Sequence, residues 1–325
     1  MRTAIVRRLS CAALLAWAGG AHAGAPGAYP DRPVRIVVPY TPGGATDTVA
    51  RSIASRLGDK WGQPVIVENR GGASGMIGAA AVAKAPPDGY TLMLSDSAPY
   101  VILPSLHANM AYHPLKDFAP VTVVARQVPI LVVSSKLPVR NVKELVAYLK
   151  AHPGTPYGSL GPGSYPHVAM EEFLQLSGTR MLHVPYKGTA QVITDMIGGQ
   201  VSLYIGTLGA FQQQEKAGVV RILAVATDAR VPLRPDLPTV AEAGVPGFSV
   251  NVWFGLAGRA GTPPEILDKI HADVHAVLSD KHFVDEVLMP QALTPGGDSR
   301  VDFGKLMRRD TERWRRSIQE AGIKL

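Results

Sequence analysis

From Val34 onward, short β-branched runs alternate with stretches of helical periodicity, and that alternation demands a parallel sheet. Residues 34–38, 65–67 and 91–94 read as strands, with helices over 45–57 and 74–84 between them. In the first helix Val49, Ile53 and Leu57 recur every four residues, so one apolar face lies on the sheet. Strands joined in this way pair in parallel through right-handed crossovers. After an extended stretch at 118–133 and a helix at 141–150, the pattern returns. Strand 156–160, helix 167–176, strand 182–184, helix 190–197, strand 201–205 and an extended run at 219–226 follow in order. Two similar α/β lobes are therefore expected. The stretches 118–133 and 219–226 are the candidate crossings between them. That makes lobe 1 discontinuous, over 24–125 and 226–325, and lobe 2 continuous over 126–225. Such a layout suits a clamshell whose ligand sits in the cleft.

The rest of the chain completes lobe 1. Residues 228–247 carry Pro232, Pro235, Pro238 and Pro246 and read as an ordered surface loop with one short helix near 239–243. A strand at 250–257 and helices at 263–278 and 301–321 follow. The last helix puts Phe303, Met307, Trp314 and Ile318 on one face. Its arginines, Arg308, Arg309, Arg313, Arg315 and Arg316, form a solvated face balanced by Asp310, Glu312 and Glu320.

Residues 1–23 read as an export signal: Arg2, Arg7 and Arg8, a short apolar run, then Ala21-His22-Ala23 with cleavage after Ala23. An exported protein follows. Removing the signal leaves about 300 residues, enough for two cores. Cys11, inside the signal, is the only cysteine, so the mature chain has no thiol for a disulfide or metal. The formal charge of +7 owes three units to those signal arginines. The mild excess that remains suits small anions and does not suggest nucleic acid.

Two glycine-rich loops each end a strand and open a helix: Tyr40-Thr41-Pro42-Gly43-Gly44, with Asp47 in the following turn, and Ser159 to Ser164, followed by His167. A helix start presents unpaired N–H groups and the positive end of the macrodipole, so it attracts anions. In loop one, ligand contact and an ordinary turn fit equally well, and Asp47 favours its own helix start. Loop two adds the hydroxyls of Ser159 and Ser164 to the backbone freedom of Gly158, Gly161 and Gly163. His167 either donates to an anion or caps its helix. A third loop, Asn69 to Gly78, lacks the dinucleotide spacing and the Walker lysine, and its helix start is expected to line the cleft. Ser95 and Ser97, past the third strand, are candidates of the same kind.

Catalysis is poorly supported. There is no G-x-S-x-G elbow around Ser159 or Ser164 and no H-E-x-x-H, and no metal or cofactor is expected.

The runs Val38-Pro39-Tyr40-Thr41-Pro42-Gly43-Gly44, Glu68-Asn69-Arg70-Gly71-Gly72-Ala73, Pro87-Asp88-Gly89-Tyr90-Thr91-Leu92 and Val184-Pro185-Tyr186-Lys187-Gly188 together resemble the Bug family. Leu237-Pro238-Thr239-Val240-Ala241-Glu242-Ala243-Gly244 extends the match. These are extracytoplasmic receptors of tripartite tricarboxylate transporters. The resemblance implies a type II periplasmic-binding-protein fold, two Rossmann-like α/β lobes joined by two hinge strands. It further implies a monomer that captures a small carboxylate and delivers it to a membrane permease. Its candidate contacts are Tyr40, Thr41, Pro42, Gly43, Gly44 and Asp47 in loop one, and Ser159, Gly161, Gly163, Ser164 and His167 in loop two. Ser95 and Thr207 stand at neighbouring strand ends. Where family members often carry a second acid after the strand at 201–205, this chain has Gly206, which points away from an amino acid and toward a larger or aromatic acid. Two other classes stay open: a sensory receptor signalling to a membrane kinase, and an exported hydrolase using Ser159 or Ser164 with His167.

Overall fold

The computed structural model describes residues 29–107, 109–320 and 322–323. The expected signal, with Cys11 and the Ala23 cleavage site, lies outside them. Among the described residues no helix is long and apolar enough to cross a membrane.

Among the described residues, eleven strands form two sheets. The first lobe opens with β1 (Val34–Val38), α1 (Ala45–Trp61), β2 (Val65–Asn69), α2 (Met76–Ala83) and β3 (Thr91–Asp96). Helical turns over 98–105 and the short α3 (Pro114–Asp117) lead into β4 (Phe118–Gln127). The second lobe runs β5 (Pro129–Ser134), α4 (Val142–Ala151), β6 (Pro156–Ser159), α5 (Tyr165–Ser177), β7 (Leu182–Pro185), α6 (Thr189–Gly198), β8 (Leu203–Thr207), α7 (Leu208–Lys216) and β9 (Val220–Val225). The chain then returns with β10 (Trp253–Arg259), α8 (Pro264–Leu278), α9 (Lys281–Phe283), β11 (Leu293–Pro295) and α10 (Arg300–Glu320).

The sheet orders are β11-β4-β10-β3-β1-β2 and β7-β6-β8-β5-β9. In each, three parallel strands from a β-α-β-α-β unit are followed by an antiparallel one, β10 beside β3 and β5 beside β8. The two sheets therefore share one winding. The stretch 118–133 is not one strand: it breaks at Val128, giving β4 to the first sheet and β5 to the second. The return runs through 226–252, and hydrogen bonds lace the two crossings together. Ala226 N–H donates to Pro129 C=O at 2.8 Å, and Gln127 N–H to Val252 C=O at 2.9 Å.

Core packing explains the helix faces. Val49, Ile53 and Leu57 of α1 are fully buried with Ile36, Leu94 and Leu256 on one face of the first sheet. The other face joins Trp253, Phe303 and Trp314 to residues of the second lobe such as Val168 and Phe173, so one apolar cluster spans both lobes. α10 reaches across to α5, where Arg313 pairs with Glu172 at 3.2 Å. Arg313 thus departs from the expected solvated face, as does Asp310, which is buried and accepts Trp253 Nε1 at 2.9 Å.

Several local expectations shift. α2 begins at Met76 rather than Ser74, because Ala73 and Ser74 adopt φ of 47° and 54°, incompatible with a right-handed helix. Residues 239–243 form a single turn, closed by Ala243 N–H on Thr239 C=O and by reciprocal Thr239–Glu242 capping, rather than a helix. The strand expected at 250–257 begins at Trp253, and α7 was not anticipated.

Candidate functional site

Loop one is shaped by the Asp47 carboxylate. Its Oδ2 accepts Gly43 N–H and Arg51 Nε, both at 3.0 Å, and its Oδ1 accepts Asn69 Nδ2 at 2.9 Å. Asn69 also donates to Tyr40 C=O at 3.1 Å and receives Arg51 at 2.8 Å. Burial opposes ionisation of Asp47, but the bonds from Arg51, Gly43 and Asn69 outweigh it and hold its pKa below the ordinary carboxylate range. Both Asp47 oxygens thus face inward to the loop, at 4% exposure, while residues 41–45 stay exposed. Gly43 takes φ +92°, which a residue with a Cβ adopts at a cost. The N-cap of α1 is Gly44, with no side-chain cap, so the first N–H groups of the helix are left for another partner.

The third glycine loop supports the first. A Cβ on Gly71 would stand 3.5 Å from Thr41 N, and one on Gly75 would lie 2.8 Å from Pro99 Cγ and 3.3 Å from the Tyr40 hydroxyl. Its glycines serve close packing against residues 39–41 and Pro99.

Loop two is held by a stack of rings. Ser159 Oγ accepts Gly161 N–H at 3.0 Å and lies 2.5 Å from His183 Nε2. The His183 ring stacks between Tyr157, at 5.0 Å, and His167, at 4.3 Å, and Tyr157 donates to Glu171. Burial, then the neighbouring His167, push the His183 pKa down to about 4, with Glu171 opposing. The ring is therefore neutral near pH 7, and its Nε2 shares one hydrogen bond with the Ser159 hydroxyl. His167 is also held below its ordinary pKa by burial, and its Nδ1 accepts Gly163 N–H at 3.2 Å. Ser164, the N-cap residue of α5, turns its hydroxyl to Gly161 C=O at 2.7 Å instead of capping the helix. Pro166 sits in the first turn, where its missing N–H costs no bond. By contrast, α4 is capped conventionally, with Asn141 accepting Glu144 N–H at 2.9 Å.

Both loops leave the carboxyl ends of parallel strands, where open α/β sheets bind ligands. Between them stands Asp96, at the end of β3, accepting the Tyr40 hydroxyl at 2.7 Å and Ala98 N–H at 2.9 Å. Burial raises the Asp96 pKa against those two bonds. Tyr165, the first residue of α5, is buried. It belongs to one apolar cluster with Ala98 and Tyr100, just past the end of β3, so the start of α5 packs toward the end of β3 across the lobes. Ser95 and Ser97 are buried there, and among the described residues neither hydroxyl has a hydrogen-bond partner. Thr207 is the N-cap of α7, at the end of β8 beside β6, and it too makes no side-chain cap.

The expected residues of both loops, with Ser95 and Thr207, therefore gather at one rim of the two sheets. Asp47 and His167 sit there as acceptors for their own loops' N–H groups. Ser159 is fully buried, and its oxygen is engaged by Gly161 and His183. Asp96, His183, Asn69 and Arg51 escaped the sequence reading as site-shaping groups. Gly206 has a packing reason: a Cβ there would stand 2.6 Å from the Phe211 ring and 2.9 Å from that of Tyr204. Among the described residues, no group of three or more His, Cys, Asp or Glu could hold a metal ion.

Two sheets of one winding, crossed twice by the chain and carrying uncapped helix starts at facing rims, define a two-lobed binding protein of the type II periplasmic class. Comparison with known proteins narrows this. The model of the tripartite tricarboxylate transporter family receptor matches residues 49–323. Protein BugT of Bordetella pertussis is 36% identical over 299 residues, covering 91% of each chain. Among solved structures, R. palustris Rpa4515 with adipate superposes with a TM-score of 0.84 at 38% identity, covering 91% of this chain and 99% of that one. MatC from Rhodopseudomonas palustris with bound malate gives 0.80 at 30%, covering 89% and 100%. The chain belongs to the tripartite tricarboxylate transporter receptor family, and it is a solute-binding receptor.

Proposed function

We propose that this receptor closes on a small organic carboxylate outside the cytoplasm and delivers it to a membrane permease of the tripartite tricarboxylate type. The observation that carries the reading is the pair of uncapped helix starts, Gly44 of α1 and Ser164 of α5, on facing lobes. Each loop satisfies its own side chains internally and leaves first-turn N–H groups for an anion. Contacts come from backbone at residues 41–44 and 161–164, with the Ser95 hydroxyl and Thr207 beside them. Tyr40, Asp47, Ser159 and His167 position those loops. The relatives solved with adipate and malate support a dicarboxylate of that size. Both loops belong to one chain, so capture needs no second copy. The first sheet, with β4 through Gln127 and β10 from Trp253 on, moves with its helices against the second sheet, turning about Val128 and Ala226, and residues 1–23 direct export.

Calorimetric titration with C4 to C8 dicarboxylates, aromatic acids, amino acids and neutral sugars tests this reading. Saturable binding of a carboxylate, weakened by Gly163→Val, is the expected result. Binding of sugars or metal ions alone contradicts it.

A further inference from the structure

We propose that a cavity behind the hinge is a second ligand site, for an amphipathic organic anion, and that filling it tightens the cleft between the glycine loops. The coupling rests on the clamshell reading above; the site itself does not. The cavity encloses about 610 Å³, within the range of about 300–1,000 Å³ typical of small-molecule sites. Its walls are both crossings, through Val128, residues 227–232 and residues 250–253, together with the face of α10 that carries Asp302 to Arg309.

Strand order places it opposite the glycine loops. In the first sheet loop one leaves β1, on the β3 side of β10 and β4, whereas the cavity takes Thr294 from β11 beyond them. In the second sheet loop two leaves β6, whereas the cavity takes the residues that follow the far edge strand β9. The hinge lies between the two, so a rotation that closes one side opens the other. The cavity is formed in the state where Tyr165 and Val168 of α5 pack in one apolar cluster with Ala98 and Tyr100 of the first lobe, and its occupant holds that state.

The lining sets the chemistry. Val128, Val252, Trp253 and Leu306 give it an apolar wall. Four cations face it: Arg126, Arg230, Lys305 and Arg309. Arg126 is matched by Asp298 at 2.6 Å and Lys305 by Asp302 at 3.0 Å. Arg230 gives its Nε to Glu242 at 2.9 Å, and Arg309 its Nε to Asp310 at 3.3 Å, so both keep terminal N–H donors. Of the facing acids, Asp298 and Asp302 are the paired ones and Asp228 is the third. Two guanidinium forks beside an apolar wall fit a carboxylate or sulfonate on a hydrophobic body.

Decanoate titrated calorimetrically into the intact protein is the probe. Saturable binding is expected, weakened about tenfold or more by Arg230→Ala with Arg309→Ala, and unchanged by Thr41→Trp, which blocks the exposed tip of loop one. Absence of decanoate binding, insensitivity to the arginine pair, or loss with Thr41→Trp alone overturns the site. With decanoate saturating, affinity for the cleft carboxylate is expected to rise about fivefold or more. An unchanged cleft affinity overturns the coupling and leaves the site. Failure of every carboxylate to bind the cleft would strike the proposed function while the arginine-pair result still decides this one.

Discussion

Replacing Asp47 by Asn separates a residue that shapes loop one from one that merely touches ligand. In the protein the carboxylate holds Gly43 N–H, Arg51 and Asn69 with both oxygens, at 4% exposure. An asparagine keeps one acceptor and sets its own NH2 against a donor. One charge-assisted bond, of about 1.5–3 kcal/mol, is lost. The Arg51 pair adds only about 0–1 kcal/mol, because that guanidinium is half exposed. A destabilisation of about 2–3 kcal/mol at neutral pH follows. The depressed pKa adds a signature. A carboxyl whose folded pKa lies below its unfolded value contributes stability above the unfolded value and loses it as pH falls through the folded one. The gap between wild type and Asp47→Asn should therefore be full at pH 7 and shrink below about pH 4. Urea unfolding followed by circular dichroism and by tryptophan fluorescence, from pH 3 to 7, reads both. A variant as stable as wild type but weak in binding would refute the loop-shaping argument and make Asp47 a ligand contact.

Other substitutions probe the remaining supports. His183→Gln should flatten the acid side of the stability profile: the folded pKa of about 4 lies below that of a free histidine, so wild type loses stability as pH falls from about 6.5 toward it, and a parallel acid limb in the variant contradicts this. Gly206→Asp should destabilise by about 1–3 kcal/mol or prevent folding, because Phe211 and Tyr204 occupy the space; thermal unfolding checks it, and an unchanged midpoint would return the position to ligand selection. Gly75→Ala combines a φ of +97° with a Cβ 2.8 Å from Pro99, so the melting point and the carboxylate affinity should fall together. Affinity kept at a lowered melting point would detach the third loop from the site.

Much of the architecture was legible because its signal is local. The four-residue recurrence of Val49, Ile53 and Leu57 gives α1 its buried face, and the β-branched run at 34–38 gives β1. α7 was missed for a physical reason: its sequence buries only Leu208 and Phe211, so periodicity is faint, and the helix follows β8 without a turn. The helical turns at 98–105 contain Pro99 and Pro104, which read as loop. Breaking 118–133 at Val128 depends on which sheet each half joins, a long-range matter. The site divides in the same way. Glycine loops and helix starts are written in neighbouring residues, but the Tyr40–Asp96 bond spans 56 positions and the Ser159–His183 contact 24. No spacing rule connects such pairs. Gly206, read as a clue to ligand choice, is also dictated by two rings packed against it.

A crystal structure of the receptor with the dicarboxylate that binds most tightly tests the central claim most directly. The account predicts carboxylate oxygens within hydrogen-bond distance of first-turn N–H groups of both α1 and α5, with the lobes closed over them. A ligand held by one lobe alone, or seated away from both helix starts, would contradict it.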